Sequence, residues 1–125
     1  MNDTIADLIN RINSTNTLDK ESFEVPFSKM KVAVLGALKR EGYISDYEDK
    51  KESGLINVVI AGHRKPLAKI SRISKPGRRL YTKVDSIPRP KNGYGTVILS
   101  TPNGVLSGRE AKKAGIGGEI ICEVY

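Results

Sequence analysis

A hairpin signal near the C-terminus restricts the fold more than any other feature of the sequence. TVILS at 96–100 is a short apolar segment, and VLS at 105–107 is a second one. Between them, Thr-Pro-Asn-Gly at 101–104 suits a β-turn, because proline favours the second turn position and glycine the last. Two apolar strands joined by so tight a turn must lie antiparallel. A small antiparallel β unit is therefore expected in this part of the chain.

The residues after this hairpin predict one short helix and a closing strand. Ser107 and Glu110 have the spacing of a capping box, and Gly115 suits the end of the helix. EIICEVY at 119–125 then alternates in the manner of a strand. Strict alternation would place three of its side chains on one face: Ile120, Cys122 and Val124. The C-terminal part is thus expected to be mostly antiparallel β with one short helix.

The N-terminal part predicts a helix followed by an edge strand. Four apolar residues recur at helical spacing: Ile5, Leu8, Ile9 and Ile12. Thr4 and Asp7 have the spacing of a capping box, and NSTNT at 13–17 is expected to end the helix. FEVPF at 23–27 predicts a strand at a sheet edge, because Pro26 has no N–H to donate to a ladder.

A second helix is predicted after Ser28, whose hydroxyl suits the N-cap, and Gly42 suits its end. Its inner face is expected to carry Met30, Ala33, Val34, Ala37 and Leu38. Lys29 and Lys31 would then begin the helix on its outer face. The helix dipole disfavours cations at this end, and a local conflict of this kind often marks a functional position.

Three further strands complete the N-terminal part. YISDYEDK at 43–50 and LINVVI at 55–60 predict a hairpin, and AGHR at 61–64 predicts a tight turn into KPLAKISRI at 65–73. The basic Pro-Gly segment SKPGRR at 74–79 is the predicted connector. After it, LYTK predicts a short strand, and VDSIPRPKNGYG is too rich in proline and glycine to be regular.

This order of elements predicts an α+β fold with two small subdomains. Residues 1–74 form an N-terminal unit in the order α-β-α-β-β-β, and residues 75–125 form a C-terminal β unit. Residues 75–79 are the basic connector between them. A chain of 125 residues is long enough to bury a core without disulfides or metals.

All of the excess positive charge lies in one segment. The net charge is +7, and residues 61–91 contain ten Lys and Arg against a single Asp. Residues 1–60 carry eight cations against ten anions, and residues 92–125 carry three of each. A charged segment is often only a solvated surface, but a concentration of this size favours a polyanionic partner.

The composition offers little for catalysis or for metal binding. The single histidine, His63, lies in a predicted turn, and the single cysteine, Cys122, lies in an apolar strand as expected of a buried thiol. A Cys/His metal site is excluded, no cofactor-binding motif is present, and no base stands beside a candidate nucleophile. We therefore expect neither an enzyme nor a cofactor.

The sequence also lacks the patterns of a secreted or membrane-spanning chain. The N-terminus has no basic segment followed by a long apolar one, and no apolar stretch approaches the ~20 residues of a membrane helix. We expect a cytoplasmic protein that is monomeric when free.

Nucleic-acid binding is the function class that the residues favour. Exposed cations attract phosphate, and Tyr81 and Tyr94 lie in or beside the basic segment, where aromatic rings can stack on unpaired bases. Tyr81 suits the core equally well. The hydroxyls and amide of the turn segment can read base edges: Ser100, Thr101, Asn103 and Gly104. The same residues also suit a plain hairpin turn, so the residue types alone leave both alternatives open.

The sequence as a whole resembles the small-subunit ribosomal protein eight family of bacterial type. GTVILSTPNGVLSGREAK at 95–112 is similar to the signature of that family, and GIGGEIICEVY at 115–125 is similar to its closing strand. ISKPGRRLYTKVDSIPRP at 73–90 resembles its interdomain segment. IADLINRI at 5–12 and SKMKVAVLGALKREGYI at 28–44 resemble its first two helices.

This resemblance implies a two-domain α+β protein of the small ribosomal subunit that binds the central domain of its rRNA early in assembly. Neighbouring small-subunit proteins would be further partners. In some bacteria it implies a second role as a translational repressor that binds its own operon mRNA. A protein-interaction module using the apolar edge of the C-terminal sheet is the alternative from another class.

The resemblance also carries over a set of RNA-contacting residues. They are Ser100, Thr101, Gly104 and Glu119 in the C-terminal unit, and Lys29 and Lys31 in the second helix. Arg78, Arg79 and Tyr81 fall at positions that match the basic connector of the family and are further candidates for RNA binding. Two positions depart from the family pattern, because Pro102 replaces a hydroxyl residue and Asn103 replaces a lysine. Since an acid repels phosphate, Glu119 is expected to act through hydrogen bonds, beside Ser100 and Thr101 on a neighbouring strand.

Overall fold

The computed structural model describes residues 4–17, 21–50, 52–60, 69–75, 77–89 and 95–125. The chain separates into an N-terminal unit within residues 2–67 and a C-terminal unit within residues 68–125. His63 and Tyr94, the predicted turn at 61–64 and three cations of the basic segment lie outside the described residues. None of the helices in the described part is both long enough and apolar enough to cross a bilayer.

Two helices and a three-stranded antiparallel sheet account for the regular structure in the described residues of the N-terminal unit. The elements are α1 (Thr4–Thr17), β1 (Ser22–Pro26), α2 (Lys29–Arg40), β2 (Asp46–Lys50) and β3 (Leu55–Val59). The strand order is β1-β3-β2, so β1 lies at an edge as its proline predicted. Val25, Ile56 and Val58 are fully buried.

The first helix buries the predicted apolar face, since Ile5, Leu8, Ile9 and Ile12 are all buried. It extends through residues 13–17, which were expected to terminate it. Thr15 lies one turn beyond Ile12 on the same face, and it is also buried. The helical burial pattern therefore continues through a segment whose polar residues resemble a stop signal.

Helix α2 begins and ends where the sequence predicted. The Ser28 hydroxyl accepts a hydrogen bond from the backbone N–H of Lys31, and Gly42 follows the C-cap with φ of 82°. The inner face differs from the prediction, because Met30 is exposed and Ala33 is half-buried. Val34, Ala37 and Leu38 are buried as predicted, and Lys31 and Leu35 are buried in addition. The face is thus rotated toward Leu35.

The described residues of the C-terminal unit form five strands and one α-helix. The elements are β4 (Ile70–Arg72), β5 (Tyr81–Thr82), a 3-10 turn (Val84–Ser86), β6 (Thr96–Thr101), β7 (Gly104–Ser107), α3 (Gly108–Ala114) and β8 (Gly118–Val124). The sheet order is β4-β8-β6-β7, and β5 also pairs with β8. All pairs are antiparallel, in agreement with the predicted α+β class.

Strand β4 belongs to the C-terminal sheet and not to the N-terminal unit, where the sequence placed KISRI. Ile70, Ser71 and Arg72 pair with Val124, Glu123 and Cys122 of β8. The prediction was wrong because a period-two pattern indicates a strand but does not determine which strand it pairs with. The segment at 84–95, expected to be irregular throughout, includes a 3-10 turn at Val84–Ser86.

Helix α3 forms as its capping box predicted. The Ser107 side chain accepts from the Glu110 N–H, and the Glu110 carboxylate accepts from the Ser107 N–H at 3.0 Å. Gly115 ends the helix in the left-handed region at φ of 74°. Ala111 of this helix packs into a buried cluster with Val97, Leu99 and Ile120. The helix therefore covers one face of the sheet.

A β-bulge in β8 changes the predicted alternation. Ile98 pairs with Cys122 and Leu99 pairs with Ile120, so Ile121 has no opposite residue on β6. Since Ile98 and Leu99 point to opposite faces of β6, Ile120 and Cys122 also lie on opposite faces. The prediction that these two side chains share a face was wrong, because an inserted residue reverses the phase of a strand.

Candidate nucleic-acid interface

Three polar residues predicted from separate parts of the sequence form one row across the C-terminal sheet. Tyr81 of β5 is opposite Glu119 of β8, and Glu119 is opposite Ser100 of β6. Directly opposite residues of antiparallel strands place their side chains on one face. Leu99 points to the α3 side, so the row lies on the face that α3 leaves uncovered. We call Tyr81, Glu119 and Ser100 the cross-strand row.

The expectation that Glu119 lies beside Ser100 on a neighbouring strand is confirmed. Tyr81, which the sequence left between core and surface, is 70% exposed. Its ring therefore lies on the surface, where a stacking partner has access to it.

The turn at the end of the row uses the Thr101 hydroxyl internally. That hydroxyl donates to the Gly104 carbonyl at 2.7 Å and accepts from the Asn103 N–H at 3.1 Å. Gly104 has φ of 105°, a conformation that glycine adopts without strain. Pro102, Asn103 and Gly104 are exposed. Thr101 thus shapes the turn, and its single donor is already satisfied.

Ser100 differs from its neighbour Thr101. Its side chain is half-buried, and its hydroxyl makes no hydrogen bond to any residue in the described part of the chain. A hydroxyl offers one donor and two acceptor positions. Ser100 is therefore the hydroxyl of this segment that remains open to an external partner.

Two glycines allow the strands around the row to approach each other closely. A Cβ on Gly118 would overlap the Ser100 carbonyl oxygen and lie 3.1 Å from the methyl carbon of Thr101. A Cβ on Gly117 would overlap the Thr82 carbonyl oxygen and lie 2.9 Å from the Cα of Lys83. The closest contact at each glycine is with a backbone carbonyl oxygen, so rotation of a side chain cannot relieve it. The site predicted from the sequence did not include either glycine, although the Gly-Gly pair before an apolar strand was the available signal.

Glu119 is held by an arginine of the connector. One guanidinium nitrogen of Arg79, Nη1, donates to both carboxylate oxygens, at 3.2 and 3.3 Å. The Glu119 side chain is 16% exposed and that of Arg79 is 58% exposed. The sequence named both residues as site candidates but gave no signal that they pair, since 40 positions separate them.

The connector itself is a tight turn that displays cations. Lys75 and Arg78 exchange two backbone hydrogen bonds of 2.9 Å each. The exposed cations of the described basic segment are Lys69, Lys75, Arg78, Arg79, Lys83 and Arg89. Arg72 is half-buried and donates to the Ile121 carbonyl at the bulge, at 3.3 Å. Arg72 therefore serves the sheet, whereas the exposed cations can attract phosphate.

The two lysines predicted at the start of α2 have different environments. Lys29 is exposed, as expected. Lys31 is only 2% exposed, so its placement on the outer face was wrong. Its Nζ donates to the Pro26 carbonyl at 3.1 Å and lies 4.0 Å from a carboxylate oxygen of Asp7. A long side chain can fold its stem inward and find its partners there, which helical spacing does not show.

Cys122 is fully buried, as its strand position predicted. Burial raises the pKa of this thiol to about 12. The thiol is therefore protonated at neutral pH and is a small apolar group of the sheet.

Comparison with known proteins relates the whole chain to one family. The family model described as Ribosomal protein S8 matches residues 3–125. The chain is 43% identical over 128 residues to the small ribosomal subunit protein uS8 of Dechloromonas aromatica, which covers 99% of this chain and 98% of that protein. It is 44% identical over 137 residues to the uS8 protein of Thermus aquaticus, with 100% and 99% covered. For the uS8 protein of Kosmotoga olearia the identity is 42% over 132 residues, with 98% of each chain covered.

Proposed function

The chain belongs to the ribosomal protein S8 family, a family of structural ribosomal proteins, and we propose that it binds the central domain of small-subunit rRNA during subunit assembly. The observation that carries this proposal is the cross-strand row, which sets an open hydroxyl, a carboxylate and an exposed ring side by side. Such a surface suits RNA whose bases are unstacked and whose edges are accessible.

The residues of the C-terminal unit divide the recognition between them. The Ser100 hydroxyl donates to or accepts from a base edge or a ribose 2′-OH. Glu119 accepts hydrogen bonds from an amino group or a 2′-OH, and Tyr81 stacks on an unpaired base. The exposed backbone of Asn103 and Gly104 allows close approach of the RNA, while Thr101 keeps their turn in shape.

The cations supply affinity that does not depend on sequence. Arg78 and the exposed lysines of the basic segment attract phosphate, and Lys29 adds a cation in the N-terminal unit. Each phosphate contact steepens the dependence of binding on salt concentration. Lys31 is buried against Pro26 and is left out of this set, so it supports the unit that displays Lys29.

Binding to a transcript of the small-subunit rRNA central domain tests the proposal. The protein should bind this transcript at raised salt, protect one irregular stem from chemical probing, and bind a fully paired duplex of equal length far more weakly. The proposal would be contradicted if the protein bound both RNAs with equal affinity and lost both at raised salt. That result would favour the alternative of a protein partner at the edge of the sheet.

The same surface would accept a messenger whose fold copies the rRNA site, because its donors and acceptors read local shape and do not distinguish the source of the RNA. Repression of its own operon therefore remains part of the proposal. A transcript of the operon leader should compete with the rRNA transcript for one site on the protein. Binding of both RNAs at once would rule out this shared-site mechanism.

A further inference from the structure

We infer that Arg79 is a positioning residue for Glu119 and not a phosphate contact. This inference rests on the proposed RNA-binding function and assigns a different task to one of its cations. Arg79 lies in the cationic connector, and the sequence groups it with Arg78. In the structure the two side chains have different partners, because Arg79 donates to both oxygens of Glu119.

The backbone on both sides of Arg79 is held in place. Arg78 is bonded to Lys75 across the tight turn. Leu80 donates to the buried Ser74 hydroxyl at 2.9 Å, and its carbonyl accepts from the Ile120 N–H at 2.8 Å. The guanidinium therefore starts from an ordered backbone and loses less conformational freedom on pairing than an arginine on a flexible loop.

The ion pair with Arg79 compensates the negative charge of Glu119 on the proposed RNA-binding surface. An isolated carboxylate in the cross-strand row would repel phosphate, and at 16% exposure it would also be poorly hydrated. Arg79 cancels the charge and fixes the direction of both oxygens. A carboxylate has about four acceptor positions, so Glu119 retains capacity for a donor on the RNA.

A cation whose charge is cancelled within the protein contributes little to the salt dependence of binding. Arg79 and Glu119 together are neutral, whereas the exposed Arg78 has no acidic partner in the described part of the chain. This difference gives a clear experimental contrast between two adjacent arginines.

The test uses the full-length chain and the central-domain rRNA transcript, with Arg79→Gln, Glu119→Gln and the double variant. The double variant keeps the net charge of +7. We expect Arg79→Gln to weaken specific binding roughly ten- to a hundredfold, as for loss of a charged hydrogen-bond network. Adding Glu119→Gln should cause no further loss, and the salt slope of the double variant should equal that of the wild type.

Arg78→Gln is the matched control, and it should weaken binding to both RNAs and lower the salt slope by roughly one unit. Three outcomes would overturn the inference. They are a slope lowered by about one unit in the double variant, losses that multiply when the two substitutions are combined, or unchanged specific binding by Arg79→Gln.

A measurement without RNA separates this inference from the proposed function. In wild-type protein the γ-methylene protons of Glu119 should give two distinct NMR shifts, as for a side chain held in one rotamer. In Arg79→Gln they should merge, and Arg79→Lys should restore part of the separation. Merged shifts in the wild type would refute the positioning of Glu119 by Arg79. Distinct shifts in a protein that does not bind the rRNA transcript would refute only the proposed function.

Discussion

The two units place their proposed RNA-contacting side chains by different means. In the N-terminal unit the packing of helix α2 determines which lysine is exposed. Lys29 is exposed, whereas Lys31 is buried and donates to the Pro26 carbonyl. In the C-terminal unit the backbones of β5, β8 and β6 approach so closely that only glycine fits at 117 and 118. A site set by side-chain packing should tolerate small changes, and a site set by backbone contact should not.

The largest effect is expected from Gly118→Ala. The added Cβ overlaps the Ser100 carbonyl, so β6 and β8 must separate at the cross-strand row. We expect a loss of about 3 kcal/mol in the free energy of unfolding of the C-terminal unit. Urea denaturation monitored in each unit measures it.

Gly77→Ala is the control for this substitution, because nothing lies within 4 Å of the Cβ position and φ is not positive there. It should change stability by less than about 0.5 kcal/mol. Equal losses in the two variants would show that backbone contact does not control the C-terminal site.

The next largest effect is expected at the two lysines near the start of α2. Lys31→Ala removes a buried stem and leaves the Pro26 carbonyl without its donor, so we expect a loss of about 2 kcal/mol in the free energy of unfolding. Lys29→Ala should leave stability unchanged and reduce the salt slope of RNA binding. Thermal unfolding and filter binding of both variants distinguish the two roles. An exposed role for Lys31 would be indicated if the two lysines behaved alike.

A smaller effect is expected from the two adjacent hydroxyls. Ser100→Ala should weaken binding to the specific rRNA transcript by about 1–2 kcal/mol and leave stability unchanged, since that hydroxyl has no partner within the described residues. Thr101→Ala should lower both stability and affinity by about 1 kcal/mol, because it opens the turn. Thr101→Ser should restore both quantities. A stability loss in Ser100→Ala would contradict this division.

The smallest effect concerns an exposed ion pair of the N-terminal unit. Lys39 donates to Asp46 at 2.9 Å, and this hydrogen bond lowers the pKa of Asp46 from 3.8. A lowered folded-state pKa means that the contribution to stability is present above pH 3.8 and is lost as the pH falls through the folded-state value. Lys39→Met should return the Asp46 midpoint toward 3.8, as measured by carboxyl NMR titration. An unchanged midpoint would show that the pair is not formed in solution.

Local signals in the sequence predicted much of this molecule. The resemblance to the ribosomal protein eight family is confirmed, and so are the capping box of α3, the Ser28 cap and the hairpin around 101–104. Each of these depends on residues within a few positions of one another. The partners of β8, the bulge at Ile121 and the pairing of Arg79 with Glu119 depend on segments far apart in the chain. No periodic pattern in a single sequence encodes such contacts.

Strand β8 pairs with β4, β5 and β6, all of which precede it in the chain. During synthesis the ribosome makes the segments from α1 to β3 first, so the N-terminal unit can fold while the C-terminal sheet still lacks its shared strand. Until β8 emerges, β6 has no strand on the side away from β7, and the buried cluster of Val97, Leu99 and Ala111 lacks Ile120. The proposed RNA-binding row therefore forms late in translation, when β8 pairs with strands that were synthesised before it.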